Sequence, residues 1–268
     1  MFVNMSLFSS LLVNLYANRV LAFEMAKRDL YSLNKGAFLG AFWLVIRPLI
    51  QVAVYVTLVS IIFNVSTGED SGPFDYAMYV LAGMPPWQVL TKAFEEAPSL
   101  IRGRLELVKQ VIYPIETLPL TAMAIGSVGA LINILVLFLL MGFSGELRWA
   151  VLLLPIPIVI TMGFAVGVSW IAMVAGIIIK DLREIVSVVL GLLVYLSPVV
   201  VKEEMVSERV WGFIEYNPLT HFVLIFRDPL EGTFHGLSYV IAVLLAISSL
   251  LIGGFVITKT KLKINEHI

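Results

Sequence analysis

The chain has 268 residues, of which 59% are hydrophobic and 14% charged, with a mean hydropathy of +0.95 and a formal net charge of -1 at pH 7. So apolar a composition exceeds what a soluble domain of this length needs, and so small a charge gives no footing for nucleic acid. Cysteine is absent, which excludes disulfides, thiolate metal sites and thiol catalysis, and His221, His235 and His267 stand apart without the spacing of a metal site.

The segment before Arg19 is apolar but opens with no basic residue, so it lacks the positive start of a cleavable leader and is read as retained. From Phe23 to Lys35, apolar Phe23, Ala26, Leu30 and Leu33 recur at helical spacing, with Glu24, Lys27, Arg28, Asn34 and Lys35 mainly elsewhere. Two readings fit this pattern. Either the helix lies in the inner membrane interface with its cations at anionic headgroups, or it is a short cytoplasmic helix that precedes the first span.

Six apolar stretches follow, at 37–63, 74–98, 117–141, 149–179, 185–201 and 236–258. Each is read as a crossing, because a spanning helix needs about 20 mostly apolar residues and lipid tolerates only an internally bonded backbone. With the N-terminus cytoplasmic, the inside segments hold twelve basic residues: Arg19, Lys27, Arg28, Lys35, Arg102, Arg104, Lys109, Lys180, Arg183, Lys259, Lys261 and Lys263. The outside segments hold four, Arg148, Lys202, Arg209 and Arg227, and only Arg47 and Lys92 fall within spans. This asymmetry puts both termini in the cytoplasm. The expected fold is an all-α membrane protein of one domain over 1–268, with six transmembrane helices, an amphipathic N-terminal interface helix and short re-entrant helices before the last span.

The connections differ in character. The turn at 64–73 is acidic and short, whereas 99–116 is basic and places Leu105, Leu107 and Val108 among Arg102, Arg104, Glu106 and Lys109, enough for one short cytoplasmic helix. The longest connection, 202–235, is acidic yet rich in aromatic and aliphatic residues, and Asn217-Pro218 divides it. A loop this apolar is read as two short helices dipping into the outer leaflet, where re-entrant backbone survives only if protein or a water-filled cavity covers it. Ala122, Gly126 and Ala130 in the third span, and Gly163 with Gly167 in the fourth, mark close helix contacts.

Chemistry of its own is not expected of this chain. No G-x-x-x-x-G-K-[ST] is present to cradle phosphates, nor a paired-aspartate motif for metal and diphosphate. Arg47, before Pro48, and Lys92 near Glu95 and Glu96 are the exceptions to an apolar lining. A mid-bilayer charge costs about 2.5–3.5 kcal/mol on insertion scales. Arg47 therefore either snorkels to an interface or lines a route for an anionic cargo, and Lys92 either pairs with Glu96 at i, i+4 or does the same. Phe42, Trp43, Tyr55, Tyr76, Tyr79, Trp87 and Tyr195 could stack against sugar rings in a passage, or could be interfacial and packing aromatics.

Several strings, in order, resemble the permease subunit of type-2 ABC exporters, in the branch that exports polysaccharides and polyol phosphates. They are Lys27-Arg28-Asp29-Leu30 with Leu39-Gly40, Trp43 and Pro48-Leu49; Gly83 with Pro86-Trp87; Tyr113-Pro114-Ile115-Glu116 through Leu118-Pro119-Leu120; Lys180-Asp181; Ser197-Pro198-Val199; and Asn217-Pro218-Leu219-Thr220 with Arg227. Arg47 departs from that branch, which usually has an uncharged residue before the first-span proline.

The resemblance implies a homodimer in the bacterial cytoplasmic membrane, bound to two copies of an ABC ATPase subunit that holds ATP and Mg, with no cofactor in this chain. Its cargo would be a lipid-linked glycan on a polyprenyl diphosphate. Coupling to the ATPase would fall to Arg102, Arg104, Leu105, Leu107, Val108 and Lys109, the channel lining to Phe42, Arg47, Tyr55, Tyr79, Trp87 and Tyr195, and the outer gate to Trp211, Asn217, Pro218 and Phe222. The alternatives are a small-molecule or drug exporter of the same superfamily, and a membrane scaffold or channel that needs no ATPase.

Overall fold

A computed structural model describes residues 13–33, 38–62, 73–104, 114–145 and 147–266, and within these the chain forms helices joined by short turns, with no strand. The helices are α1 (Arg19–Leu33), α2 (Trp43–Ile62), α3 (Pro73–Leu100), α4 (Leu118–Ser144), α5 (Pro155–Ile178), α6 (Leu182–Leu193), α7 (Glu208–Tyr216), α8 (Pro218–Glu231) and α9 (Gly236–Glu266). This is an all-α membrane protein. Three stretches, Ile115–Ser144, Trp149–Ile178 and Gly236–Lys261, are long and apolar enough to cross a bilayer by themselves.

The least uniformly apolar of the long helices sits at the centre. α3 packs against α2, α4, α5, α6 and α8, and Val80, Met84, Leu90, Ala93 and Ala97 along it are wholly enclosed. Its interior prolines, Pro85 and Pro86, lack the amide hydrogens that would bond Leu81 and Ala82, so the helix tolerates them only under the cover of neighbours.

Glycines set the closest approaches. On α4, Ala122, Gly126 and Ala130 are buried, and a Cβ on Gly126 would lie 2.7 Å from the Gln88 carbonyl oxygen of α3. Between α5 and α9, a side chain on Gly167 would enter the Ser249–Leu250 backbone, and one on Gly253 would enter the backbone of Gly167. The expected Gly163–Gly167 contact is thus concentrated at Gly167, since a Cβ on Gly163 would make ordinary contacts with the side chains of Leu250 at 3.5 Å and Ala246 at 3.9 Å.

One expectation is corrected. The fifth stretch, expected as a helix over 185–201, begins at Leu182, ends at Leu193 and continues only as a 3-10 turn over Val194–Leu196. Pro198 is the physical reason, because it drives the residue before it out of the helical region, and Ser197 is extended at φ -140 and ψ 154. On α1 the buried residues are Ala22, Met25 and Ala26, while Phe23 faces outward. That helix packs on α4, Ala26 belongs to the face that periodicity picks out, and Phe23 on the same face is left outward, where an interface helix meets lipid.

The division at Asn217-Pro218 gives two helices, α7 and α8, as the sequence suggests. Asn217 caps α8, its Oδ1 accepting the Leu219 amide at 3.0 Å, and Pro218 occupies the first helical position, where no amide is needed. Gly232 closes α8 with φ 74, in the left-handed region that glycine adopts without penalty.

Candidate functional site

Both ends of the bundle carry both signs of charge, Asp29, Glu95, Glu96 and Glu116 standing among the cations of one and Arg148, Lys202 and Arg227 among the carboxylates of the other. Arg102, Arg104, Lys180, Arg183, Lys259 and Lys261 gather at one end, and Glu203, Glu204, Glu208, Glu215, Asp228 and Glu231 at the other.

At the acidic end a cleft of about 600 Å³ opens between α3, α4, α7, α8 and the Lys202–Glu204 turn, with Tyr79, Arg148, Lys202, Trp211, Arg227 and Glu231 on its walls. Arg227 of α8 is 2% exposed. Its guanidinium lies 3.4 Å from the centre of the Tyr79 ring, and its Nη2 donates to the carbonyls of Tyr79 at 2.9 Å and Val199 at 3.3 Å. Gly83 makes room for this, because a Cβ there would stand 2.6 Å from Nη2. The irregular segment after α6 is further tied to α3, with the Tyr76 hydroxyl donating to the Val200 carbonyl at 2.7 Å and that of Tyr79 to Val201 at 2.9 Å. Non-helical backbone inside a membrane protein requires such partners. Asp228 holds the end of α8, accepting from the Thr233 hydroxyl at 2.8 Å and the His235 amide at 2.9 Å, with His235 Nδ1 at 2.6 Å.

Nearer the basic end, a second cleft of about 370 Å³ lies between α2, α3, α4 and α6. Arg47, Trp87, Gln88 and Lys92 line it. It mixes cations, amides and an indole where the adjoining helices are otherwise apolar.

The basic end is a lattice of ion pairs. Arg104 pairs with Asp29 of α1 and donates to the Thr121 hydroxyl at 3.2 Å, joining α1 to α4. Glu116, 1% exposed, accepts both of its Lys261 contacts at 3.0 and 3.1 Å, and its carbonyl accepts the Trp170 indole at 3.0 Å. Arg102 donates to the Ile177 carbonyl at 2.9 Å. Lys92 does not pair with Glu96. It pairs with Glu95 at 2.7 Å, and Glu96 pairs with Arg183 of α6 at 2.8 Å, because α6 brings a second cation to the face of α3 that carries Glu96.

The expected site residues therefore divide among these regions. Tyr79 and Trp211 meet at the acidic cleft, and Arg47 with Trp87 at the second. Asn217 and Pro218 begin α8, and Asn217 Nδ2 also donates to the Leu196 carbonyl at 3.3 Å. Phe222 is wholly buried and stacks on Phe164 with centroids 4.4 Å apart, inside the bundle. Phe42 is 71% exposed and Tyr195 is exposed at the 3-10 turn after α6; neither lines these clefts. Leu105, Leu107, Val108 and Lys109, and the side chain of Tyr55, lie outside the described residues.

Sequence reasoning passed over Gln88, Thr91 and the Glu116–Lys261 pair. Hydropathy averaged over a span hides one amide, although a glutamine within an apolar run is itself a signal. Asn133 is a similar case: it is wholly buried on α4, and neither atom of its amide has a hydrogen-bond partner among the described residues.

A family model described as ABC-2 type transporter matches residues 21–230, a range that takes in both clefts and most of the basic end. The chain belongs to the ABC-2 type transporter family. It is similar to the O-antigen export system permease protein RfbA of Klebsiella pneumoniae, 25% identical over 76% of this chain and 77% of that one. It is also similar to the protein of the same name from Myxococcus xanthus, 28% identical over 69% of each, and to the polysialic acid transport protein KpsM of Escherichia coli, 20% identical over 71% and 73%. As an ABC-2 transporter it is a multi-pass membrane permease, related to permeases of polysaccharide export.

Proposed function

We propose that this chain is the permease subunit of an exporter that moves a polyprenyl-diphosphate-linked polysaccharide across the bacterial cytoplasmic membrane, driven by ATP hydrolysis in a separate subunit. The observation that carries the reading is the family match together with relatives named for O-antigen export and polysialic acid transport. In this reading α2, α3, α4, α5, α6 and α9 are the six crossings, the basic end and both termini are cytoplasmic, and two ATPase subunits dock there.

Two copies of the chain enclose the path. Exposed Ile185, Val188, Val189 and Leu192 form an apolar stripe on α6, and Val45, Leu49 and Ile50 are exposed on α2; these faces are suited to a second copy and to lipid. A long polymer does not fit a closed cavity, so a continuous channel gated repeatedly suits it better than one enclosed cycle per molecule. The ion pairs Asp29–Arg104 and Glu116–Lys261 tie Arg104 to α1 and Glu116 to α9, so that force from the ATPase received between these two residues can reach α1, α4 and α9.

Cells lacking this chain should lose surface glycan and retain lipid-linked glycan inside. Normal surface glycan in such cells would overturn the reading. Replacing Leu105, Leu107 and Val108 with glutamate should leave the chain in the membrane but abolish export-coupled ATPase stimulation.

A further inference from the structure

The second cleft carries more polarity than packing explains. Arg47, Gln51, Gln88, Thr91, Lys92 and Glu95 all border it. Arg47 lies 5.5 Å from the centre of the Trp43 ring, and no carboxylate among the described residues pairs with it. Glu95, the carboxylate on the cleft wall, is engaged by Lys92 at 2.7 Å. An unpaired guanidinium in an apolar helix is unfavourable until an anion meets it.

A second group there also lacks a partner. The Gln88 Oε1 atom is buried with no hydrogen-bond donor among the described residues. Gly129 lets the amide seat against α4, since a Cβ there would lie 2.9 Å from that oxygen, and across the cleft a Cβ on Gly191 of α6 would meet nothing within 4 Å among the described residues. An orphaned carbonyl calls for a hydroxyl or N–H donor.

One ligand chemistry answers both needs. Phosphate oxygens match the paired donors of a guanidinium, and a neighbouring hydroxyl can donate to an amide oxygen. We propose that this cleft is a glycosyl-phosphate site, in which Arg47 holds the phosphate and Gln88 Oε1 accepts a hydroxyl of the attached sugar. The inference rests on the proposed export reading and names the part of the cargo that this cleft recognises. A phospholipid headgroup such as phosphatidylglycerol offers the same two groups, so the test must separate the sources.

The test uses the full-length chain in phosphatidylcholine nanodiscs. The probe is a polyprenyl diphosphate bearing one N-acetylhexosamine, with the sugar-free diphosphate and the polyprenyl alcohol for comparison. Arg47→Gln should raise the Kd of both diphosphates by about tenfold or more, and Arg47→Lys by less, because lysine keeps the charge but loses the paired donors. Gln88→Met should weaken only the sugar-bearing probe, and no variant should change retention of the alcohol.

Arg47→Gln and Arg47→Lys chains that bind the probe as the wild type does would remove the site while leaving the export reading intact. Failure of the wild type to bind the probe would also remove the site, whereas the surface-glycan phenotype tests the export reading by itself. Displacement of the probe by an equimolar amount of phosphatidylglycerol would assign the cleft to bulk lipid and overturn the proposal.

Discussion

Arg227 lies flat against Tyr79, its guanidinium carbon 3.4 Å from the ring centre, while its Nη2 donates to the main-chain carbonyl of the same residue at 2.9 Å. One side chain thus binds α8 to both the ring and the backbone of α3, and reaches the Val199 carbonyl as well. Arg227→Leu keeps the apolar contact but removes the donor from the Val199 carbonyl, at about 1–3 kcal/mol, and a second donor from the Tyr79 carbonyl, which keeps its helical bond from the Gly83 amide within α3. The detergent-solubilised variant should melt several degrees lower, and Arg227→Lys, which lacks the fork, should recover only part of the loss. A wild-type melting curve for Arg227→Leu would show that the carbonyls find other donors.

Gly83 should be sensitive for a related reason. Its missing Cβ leaves room for Nη2, which would stand 2.6 Å away, and for the Val199 Cα at 3.1 Å. Gly83→Ala should therefore lose about 1–3 kcal/mol by overpacking. Gly142, near the end of α4, has nothing within 4 Å of an added Cβ among the described residues, so Gly142→Ala should be neutral or slightly stabilising, because glycine weakens a helix. Equal melting shifts for the two variants would contradict this account.

Glu116 offers a test by paired substitution. Lys261→Met strands a buried carboxylate, and removal of one partner of such a pair typically loses about 3–5 kcal/mol. Adding Glu116→Gln should restore most of the stability, since the amide needs no counter-ion. If the double variant is no more stable than Lys261→Met alone, the interaction at 3.0 and 3.1 Å is not what holds α9 to the start of α4.

The α5–α9 seam should discriminate between neighbouring glycines. Gly167→Leu and Gly253→Leu would push the two backbones apart and should sharply reduce the yield of folded chain. Gly163→Ala should be tolerated, because its new Cβ meets only side-chain carbons at ordinary contact distance among the described residues, Leu250 at 3.5 Å and Ala246 at 3.9 Å. Size-exclusion profiles of the three variants provide the comparison.

Much of the helical plan was legible because hydropathy and turn chemistry are local. The division of 202–235 followed from Asn217-Pro218, and the buried face of α4 from the spacing of Ala122, Gly126 and Ala130. What a linear reading missed depends on neighbours brought from far along the chain. Lys92 and Glu96 have the right spacing for a pair, yet Arg183 of α6 takes Glu96. Arg227 was visible as a residue of the external segment, but its burial against Tyr79 and Gly83 depends on how α8 crosses α3. The unpartnered oxygen of Gln88 could not be read at all from the linear order, since its isolation is a property of the glycines opposite it.

The brevity of α6 has a mechanical consequence for the surrounding lipid. Its 12 residues rise only ~18 Å, against a hydrocarbon layer of ~30 Å. With α6 as one of the proposed crossings, any acyl chains alongside it would have to shorten or splay, and that dimple would draw headgroups and water toward the midplane on the flank where Ile185, Val188 and Leu192 are exposed. Bilayers of longer-chain lipids should resist that deformation, so membrane thickness itself becomes a variable that sets how easily this chain changes shape.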